Sequence, residues 1–272
     1  MSFQKYVHGY DPREMERLKN QAGTLVELLH ADTSYPAGSR VLEAGCGVGA
    51  QTIPLAQRSP QAQFVSIDIS ADSIAQAQQR AEQAGLTNVT FQQASIFELP
   101  FTAGSFDHIF VCFVLEHLAD PVAVLQRLRH LLKPGGTLTL IEGDHGSIYF
   151  HSDSTAARAA IACQIELQRQ AGGNAYLGRQ VYPLLVAAGF DEVHVLPRMV
   201  YIDGSSRPDL IENFTHKTFA AMIEGVREAA IAASLIDATQ FDLGMQAIYR
   251  TTQADGTFCY TFFKGVAINP SA

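Results

Sequence analysis

The segment VLEAGCGVGAQT at residues 41–52 restricts the fold of this chain more than any other feature. A β-rich run ends at Ala44, and a helical pattern begins near Ala50. Three glycines stand between them: Gly45, Gly47 and Gly49. Glycine lets the backbone turn sharply and pass close to a ligand because it has no Cβ. The free N–H groups of the following helix favour polar or anionic ligand atoms. The segment therefore predicts a strand, a ligand-binding loop and a helix, in that order.

Short β-rich runs alternate with helical patterns from Arg40 to about Ile141. This alternation is typical of a parallel sheet with crossover helices. The strands predicted in this region are 40–44, 63–68, 89–94, 106–113 and 137–142. One helix has clear boundary signals, since Asp120 can cap it and Pro121 suits its first position. The sequence thus predicts an α/β fold with a doubly wound sheet.

Helical patterns surround this alternating core. Residues 12–29 carry apolar residues on one helical stripe, and we expect residues 146–175 and 206–253 to be mostly helical. After the turn signal at Asp255 and Gly256, the run 257–268 predicts an antiparallel strand at the edge of the sheet. We therefore expect one domain over residues 1–272. Its parts would be an N-terminal helical lid (1–37), a cofactor-binding core (38–145), and cap helices with the remaining strands (146–272).

An acidic residue indicates what the glycine loop binds. Asp68 ends the second predicted strand, where a carboxylate can accept hydrogen bonds from both hydroxyls of a ribose. Read as GxGxxA, the loop fits the dinucleotide-binding pattern of NAD(P)-dependent oxidoreductases. However, Glu43 suits a cationic group, such as the amino group of S-adenosylmethionine, and a third glycine follows at position 49. The residues favour S-adenosylmethionine over a nicotinamide cofactor.

Five segments in this order carry a resemblance to a known family: VLEAGCGVGAQT, VSIDIS, ASIFELPFTAGSFD (94–107), FVLEHLADP (113–121) and LKPGG (132–136). They resemble the class I S-adenosylmethionine-dependent methyltransferases, especially the small-molecule branch with the ubiquinone and menaquinone-biosynthesis type. The resemblance covers roughly residues 38–145. It implies a Rossmann-like, seven-stranded sheet with an antiparallel last strand, a place that residues 257–268 would fill.

The resemblance also implies which residues bind the cofactor. Glu43 and the three glycines would line its methionine and sugar parts, with Cys46 filling space within the loop. The remaining candidates lie at the ends of the next strands: Asp68 for the ribose, Ile69 for the adenine face, Ser95, Ile96 and Phe97 for the adenine edge, and Cys112 and Phe113 beside the sulfonium. The family often has an aspartate where this chain has Ser95, which makes adenine recognition there weaker. In the N-terminal segment, Tyr10 and Arg17 would reach the cofactor as the lid closes.

Four residues after the fourth and fifth strands could act on the acceptor: Glu116, His117, Asp144 and His145. A histidine near neutral pKa serves best as a general base, so His145 and His117 are the catalytic candidates. Asp144, Tyr149 and Tyr176 are the substrate-binding candidates, with the tyrosines expected in cap segments outside the sheet. The competing interpretation is structural, with Glu116 and His117 joining loop to sheet and the cap aromatics serving as packing.

Charge restricts the partners. The chain has 27 acidic and 19 basic residues, a formal charge of −8, which disfavours nucleic acid and anionic membranes. No apolar run approaches the ~20 residues of a membrane span, and the four cysteines form no CxxC pair, which is typical of a cytoplasmic protein.

We therefore expect methyl transfer to the O, N or C atom of a small molecule, with no metal. The alternatives are an NAD(P)-dependent oxidoreductase and a non-catalytic protein that binds S-adenosylmethionine. The oligomeric state is open, with a dimer among the possibilities.

Overall fold

A seven-stranded mixed sheet forms the centre of the molecule in the computed structural model, which describes residues 23–206 and 208–271. The strands are β1 (Arg40–Ala44), β2 (Gln63–Asp68), β3 (Val89–Gln93), β4 (Phe106–Cys112), β5 (Leu132–His151), β6 (Asp191–Asp203) and β7 (Thr257–Ile268). Their order in the sheet is β3-β2-β1-β4-β5-β7-β6. Neighbours from β3 to β5 run parallel, whereas β7 is antiparallel to both β5 and β6. The α/β fold with a reversed last strand is therefore confirmed.

Helices cover both faces of this sheet. They are α1 (23–30), α2 (Thr52–Arg58), α3 (Ala71–Gln83), α4 (Pro121–Leu131), α5 (Thr155–Gln170), α6 (Val181–Ala187), α7 (Pro208–Leu210), a π-helix (Ile211–Ala220), α8 (Ala221–Gly225), α9 (Arg227–Ala232) and α10 (Ala238–Arg250). Two 3-10 turns lie at Leu115–His117 and Gly178–Gln180. The predicted boundary of α4 is confirmed, because Asp120 accepts a hydrogen bond from the Ala123 N–H and Pro121 begins the helix. No helix within the described residues is long and apolar enough to cross a membrane.

Alternate residues of the buried strands divide the core into two clusters. In β4, Ile109 and Val111 belong to the cluster beneath α4 and α6. Phe110 and Cys112 belong to the other cluster, which includes α1, α2 and the helices of the cap. This division follows from the strand geometry, in which successive side chains point to opposite faces. Both faces are apolar because helices cover both.

The prediction that residues 146–175 are mostly helical was wrong at its start. β5 does not end at residue 142 but continues to His151, with a register shift against β7 between Asp144 and Tyr149. The signal was present, because buried Ile148 and Phe150 alternate with exposed Tyr149 and His151. Such alternation indicates a strand with one covered face. The helix of this region, α5, begins only at Thr155.

The N-terminal helix is described from residue 23 onwards. Leu25 and Leu29, two residues of the predicted apolar stripe, are buried against the sheet. The other three, Met15, Leu18 and Ala22, lie outside the described residues. α1 therefore packs on the same face as the cap, next to the start of α2.

Candidate functional site

The glycine loop is fixed to β2 by backbone hydrogen bonds. The N–H groups of Gly45 and Cys46 both donate to the carbonyl of Ile67, at 2.8 and 2.9 Å. Gly45 has a φ of 83°, and a Cβ at this position would overlap the side chain of Val114. Gly49, with a φ of 75°, approaches Ala77 of α3 so closely that a Cβ would lie 3.1 Å from the alanine methyl. Two of the glycines are therefore required by packing.

The middle glycine has a different environment. Gly47 has a φ of 51°, and no described atom outside its chain neighbours lies within 4 Å of where its Cβ would be. The loop thus presents bare backbone on an open side. Cys46 points away from that side, since its side chain is buried and its Sγ donates weakly to the Gly47 carbonyl. This shape fits a ligand that lies against the backbone, as the predicted cofactor would.

Asp68 lies beside this open side and contacts the loop directly. Its Oδ2 accepts a hydrogen bond from the Gly47 N–H at 2.8 Å, and its Oδ1 accepts one from the Ser70 N–H at 2.9 Å. Burial raises the pKa of Asp68, while these backbone bonds oppose the rise. Each oxygen of a carboxylate can accept a second hydrogen bond. The carboxylate is thus oriented and can still accept bonds from two ribose hydroxyls.

Glu43 lies beneath the loop. Its side chain is buried, and Oε2 accepts hydrogen bonds from Thr52 Oγ1 at 2.6 Å and Ser66 Oγ at 2.7 Å. Burial raises the pKa of Glu43 to about 7, against the opposing effect of the two hydroxyls. A nearby cation favours the charged form of a buried carboxyl. Glu43 is therefore placed where its charge would respond to a cationic ligand group.

Two predicted adenine contacts, Ile69 through its side chain and Phe97 through its backbone, have exposed apolar side chains after β2 and β3. Ile69 is 41% exposed and Phe97 is 40% exposed, unusual values for large apolar residues. The neighbouring Ile96 is partly buried against the core. Ser95 Oγ accepts a hydrogen bond from the Phe97 N–H at 3.2 Å, so it orders this turn. Ile69 and Phe97 therefore offer apolar surface on the same edge of the sheet as Asp68.

The chain turns sharply after β4. Phe113 has a φ of 57°, a left-handed conformation that is uncommon outside glycine. Its N–H donates to the Ile141 carbonyl at 2.9 Å, and its ring packs 5.3 Å from that of Phe262 in β7. Burial raises the pKa of the neighbouring Cys112 thiol well above its ordinary value, so this cysteine stays protonated. Strained backbone of this kind is concentrated at functional sites.

Glu142 supports this turn, a role that sequence reasoning missed. The carboxylate is buried, and its Oε1 accepts hydrogen bonds from the N–H groups of Val114 at 3.1 Å and Leu115 at 2.8 Å. Burial and the nearby Glu116 raise its pKa well above the ordinary value. Glu116 lies 3.6 Å from His117 Nε2, and its carbonyl accepts from Gln168 of α5. These contacts fit the structural interpretation of Glu116 and His117, and the catalytic role of His117 stays a prediction.

His145 lies within β5, not after that strand as predicted, and it is next to a tyrosine that sequence reasoning missed. Its Nδ1 is 3.0 Å from the hydroxyl of Tyr260 in β7, and both side chains are buried. Gly143 makes room for that hydroxyl, because a Cβ there would overlap it. No local signal could have found this pair, since 115 residues separate its members. The hydrogen bond orients the imidazole ring.

Asp144 forms an ion pair with another residue that sequence reasoning missed, Arg179. Asp144 Oδ2 accepts from Nε at 2.7 Å and Oδ1 accepts from Nη2 at 2.8 Å. The guanidinium also lies over the ring of Tyr176, 5.1 Å from its centre. Tyr149 is 67% exposed, and it lies within β5 opposite Cys259, not in a cap segment outside the sheet as predicted. The strand continues there because β7 supplies a partner for it.

Two predicted cofactor residues, Tyr10 and Arg17, lie outside the described residues. Apart from Tyr176, the other candidates lie in or next to the glycine loop, in the segments that end or follow β2, β3 and β4, or within β5 beyond Ile141, the last residue of β5 that pairs with β4. Because β1 to β5 are parallel, these segments share one edge of the sheet. Tyr176 is brought to the same edge by a hydrogen bond from the His145 N–H to the Ala175 carbonyl. Within the described residues, no group of three or more His, Cys, Asp or Glu side chains is arranged to hold a metal ion.

Comparison with known proteins gives the family context. Residues 36–189 match a family model described as a methyltransferase domain. Trans-aconitate 2-methyltransferase from Deinococcus radiodurans is 32% identical over 187 residues, 68% of this chain and 67% of the relative. A 27-O-demethylrifamycin SV methyltransferase from Amycolatopsis mediterranei is 27% identical over 87% of this chain and 80% of its own length. Two other curated relatives are matched over only 24% and 57% of their length.

Solved structures share the fold at low identity. Phosphoethanolamine N-methyltransferase 2 from Haemonchus contortus, in complex with phosphomonomethylethanolamine and S-adenosylhomocysteine, is 20% identical with a TM-score of 0.57. The similarity covers 93% of this chain and 53% of that one. A putative methyltransferase from Bacillus halodurans is 16% identical with a TM-score of 0.56, over 92% of this chain and 99% of that one.

Proposed function

Because the chain belongs to the class I S-adenosylmethionine-dependent methyltransferases, we propose that it transfers a methyl group from S-adenosylmethionine to an O, N or C atom of a small molecule. One observation supports this most strongly: the glycine loop leaves bare backbone at Gly47 beside the oriented carboxylate of Asp68. The family match disfavours the NAD(P)-dependent oxidoreductase. The remaining alternative is a protein that binds the cofactor without turnover, and a turnover assay distinguishes it from an enzyme.

The residues around the loop would hold the cofactor by part. Asp68 would accept hydrogen bonds from the ribose hydroxyls, and the exposed side chains of Ile69 and Phe97 would cover the adenine. Glu43 would favour the methionine amino group, because a cation nearby stabilises its charged form. Cys112 and Phe113 would border the sulfonium. When bound, S-adenosylmethionine supplies a methyl group that its positively charged sulfur has already activated.

The protein itself positions the acceptor, excludes water from the site and accepts a proton. Aligning an acceptor atom with the methyl group and excluding water can account for much of the rate. An acceptor that arrives protonated also needs a base, and His145 would take that proton. Its Nδ1 bond to the Tyr260 hydroxyl would hold the ring in place while Nε2 receives the proton. Two buried aromatic neighbours, Phe214 and Phe262, pack on Tyr260 and keep its surroundings apolar.

We propose a small molecule as the acceptor on the basis of the relatives' names and the net charge. The relatives are named for trans-aconitate and for a demethylated rifamycin, both small molecules. The net charge of −8 disfavours nucleic acid. We also propose that residues 1–272 form a single domain. We further propose that the protein is cytoplasmic, since all four cysteines are free thiols. A dimer is compatible with this proposal and is not required by it.

Cofactor binding is the first test. We expect S-adenosylhomocysteine to raise the unfolding midpoint and to bind in calorimetry, whereas NAD⁺ and NADP⁺ do neither, because only a bound ligand stabilises the folded state. Asp68→Asn should weaken S-adenosylhomocysteine binding about tenfold to a hundredfold, since hydrogen bonds to a charged acceptor contribute roughly 1.5–3 kcal/mol. Asp72→Asn, on the exposed first turn of α3, is the matched control and should bind normally. Stabilisation by NAD⁺ instead would contradict the proposal.

Turnover is the second test. The purified protein is incubated with S-adenosylmethionine and a library of small molecules, and release of S-adenosylhomocysteine is measured. His145→Gln should lower kcat by about 10²-fold or more while leaving the affinity for S-adenosylhomocysteine unchanged. Tyr260→Phe should shift the pH profile of kcat, because it removes the partner of Nδ1. If the wild type binds the cofactor and methylates no compound in the library, the non-catalytic alternative is favoured.

A further inference from the structure

We propose that Arg179 forms an anion-binding site for the acceptor, so that the molecule methylated here carries a carboxylate. This inference rests on the proposed function, because it describes the acceptor of the same active site. Asp144 and Arg179 form an ion pair whose two side chains differ sharply in exposure. The Asp144 side chain is 2% exposed, whereas that of Arg179 is 51% exposed.

The buried member of the pair fixes the exposed one. Asp144 accepts hydrogen bonds from Nε and Nη2 of the guanidinium at 2.7 and 2.8 Å, and it also accepts one from the Gly146 N–H at 2.9 Å. A carboxylate buried to this degree is stable only when it is paired and hydrogen-bonded. Asp144 therefore needs Arg179, and in return holds the plane of the guanidinium in one orientation.

The guanidinium keeps donors for a second anion. An arginine side chain carries five N–H donors, and Asp144 accepts from two of them. Among the described residues, none accepts a hydrogen bond from the two donors on Nη1 or from the second donor on Nη2, and these three point away from the Asp144 edge. Adjacent Nη donors of this kind match the two oxygens of a carboxylate. Since the Asp144 pair already fixes the guanidinium, little side-chain entropy is lost when a second carboxylate binds.

The surroundings of Arg179 are those of a binding site and not those of an isolated ion pair on the surface. Gly146 has no Cβ, and one there would overlap Arg179 Nη2 and crowd the ring of Tyr176. The Tyr176 ring lies 5.1 Å below the guanidinium carbon and is 37% exposed. Tyr149, which is 67% exposed, lies close enough to contribute to the raised pKa of Arg179, after the larger effect of Asp144. The guanidinium is thus flanked by bare backbone at Gly146 and by the ring of Tyr176.

The Arg179 site lies next to the segment of β5 that carries the proposed base. Asp144 and Gly146, the two residues that shape the site, flank the proposed base His145. The His145 N–H donates to the Ala175 carbonyl at 2.9 Å, which brings the turn before Arg179 against the same stretch of β5. An acceptor held by a carboxylate at Arg179 would therefore lie beside the part of β5 that extends beyond β4, the same edge of the sheet that carries His145. The Tyr176 ring would cover part of its body.

The experiment uses matched pairs of charged and neutral probes. Ligand-observed NMR titrations compare benzoate with benzamide, and succinate with succinamide, on the protein saturated with S-adenosylhomocysteine. In the wild type we expect at least one acid to bind about tenfold more tightly than its amide, as a charge-assisted pair predicts. If no acid binds, or if acids and amides bind equally, the anion site is wrong.

The variant must not leave a buried charge unpaired, so both members are changed. The double variant Asp144→Asn/Arg179→Gln should lose the preference for acids and keep its affinity for S-adenosylhomocysteine. Its control is Asp242→Asn/Arg227→Gln, which removes a bidentate pair of the same type in the cap, at 2.8 and 3.1 Å. The control should keep the preference. A double variant at 144 and 179 that still prefers acids would overturn the proposal.

Affinity for S-adenosylhomocysteine is measured first on each sample. A wild type that does not bind it would contradict the proposed function. Normal binding of S-adenosylhomocysteine with no acid preference would contradict the anion site alone. Circular dichroism and the unfolding midpoint of each double variant show that it is folded before its affinities are compared.

Discussion

At the residue scale, glycine is required at the three positions of the loop for different physical reasons. Gly45 and Gly49 face the side chains of Val114 and Ala77, where a Cβ has no room. Gly47 faces open space on the cofactor side. All three have positive φ, a conformation that costs an L-residue roughly 1–2 kcal/mol. The pattern GxGxG is therefore partly a requirement of packing and partly one of binding.

Substitution should separate these two requirements. Gly47→Ala should lower the free energy of unfolding by about 1–2 kcal/mol and weaken S-adenosylhomocysteine binding about tenfold, because the methyl group enters the ligand's space. Gly45→Ala should cost about 1–3 kcal/mol more than Gly47→Ala, because it adds overlap with Val114. Urea denaturation and calorimetry measure the two quantities.

The matched control is Gly85→Ala, at the turn after α3. Gly85 has a φ of 68° and also has no described atom within 4 Å of a Cβ. It should show the same loss of stability as Gly47→Ala with no change in affinity. Equal affinities for S-adenosylhomocysteine in these two variants would contradict the binding role of Gly47.

At the element scale, a buried histidine joins α1 to the start of α2. His30 is fully buried, and its Nε2 lies 2.6 Å from Gln51 Oε1. Burial lowers the pKa of His30 from 6.5 to about 4. Because Gln51 directly precedes α2, this contact links the N-terminal helix to the helix that follows the glycine loop. The attachment of α1 should therefore depend on pH.

The sign of this dependence follows from the lowered pKa. Below pH 6.5 the unfolded chain binds a proton at His30 that the folded chain refuses until about pH 4. The stabilisation from a neutral, buried His30 is therefore complete above pH 6.5 and is lost as the pH falls to about 4. The shift corresponds to about 3 kcal/mol at most. Glu43, whose pKa is raised to about 7, acts in the opposite direction above pH 4.5.

Comparison of His30→Gln with the wild type at each pH cancels the effect of Glu43. We expect the difference in free energy of unfolding between the two proteins to change by up to about 3 kcal/mol between pH 7 and pH 4, to the disadvantage of the wild type. Urea denaturation across this range measures it. His151→Gln, at an exposed position of β5, is the control and should give a flat difference. A flat difference for His30→Gln would contradict the lowered pKa of His30.

At the scale of the whole molecule, β7 holds distant parts of the chain together. It lies between β5 and β6 and pairs with both along most of its length. Lys264 of β7 also reaches α1: its Nζ donates to the Leu29 carbonyl at 3.2 Å, to Asp32 Oδ1 at 2.6 Å and to Thr33 Oγ1 at 2.5 Å. Arg198 of β6 pairs with the same Asp32. The last strand and its neighbour thus anchor the N-terminal helix.

Lys264→Met should test this anchor. The variant keeps the apolar stem and removes three hydrogen bonds at a side chain that is 4% exposed, so we expect a loss of about 2–3 kcal/mol. Hydrogen exchange should show faster opening of residues 23–33 than of β1. Lys217→Met, at an exposed pair with Glu212, should cost less than about 0.5 kcal/mol. Equal losses in the two variants would contradict an anchoring role for Lys264.

The sequence by itself determined the features whose signals are local. The strand-loop-helix unit at 41–52, the cap of α4 at Asp120 and the strand at 257–268 depend on neighbours in the chain, and the structure confirms each of them. The same local signals placed Asp68 and the glycines on one edge of the sheet. β6 was not identified because Pro197 interrupts its run and its exposed positions carry the apolar residues Leu196, Met199 and Tyr201, so polar and apolar residues do not alternate in the sequence.

Only the tertiary structure decided which side chains meet. Tyr260 reaches His145 across 115 residues, Arg179 reaches Asp144 across 35, and Lys264 reaches Asp32 across 232. The first of these contacts arises because β5 and β7 pair along their length, and the continuation of β5 to His151 itself depends on that pairing. A strand partner supplies hydrogen bonds that no local pattern contains. The cofactor loop could therefore be predicted from neighbouring residues, whereas the acceptor side depends on the closing of the sheet.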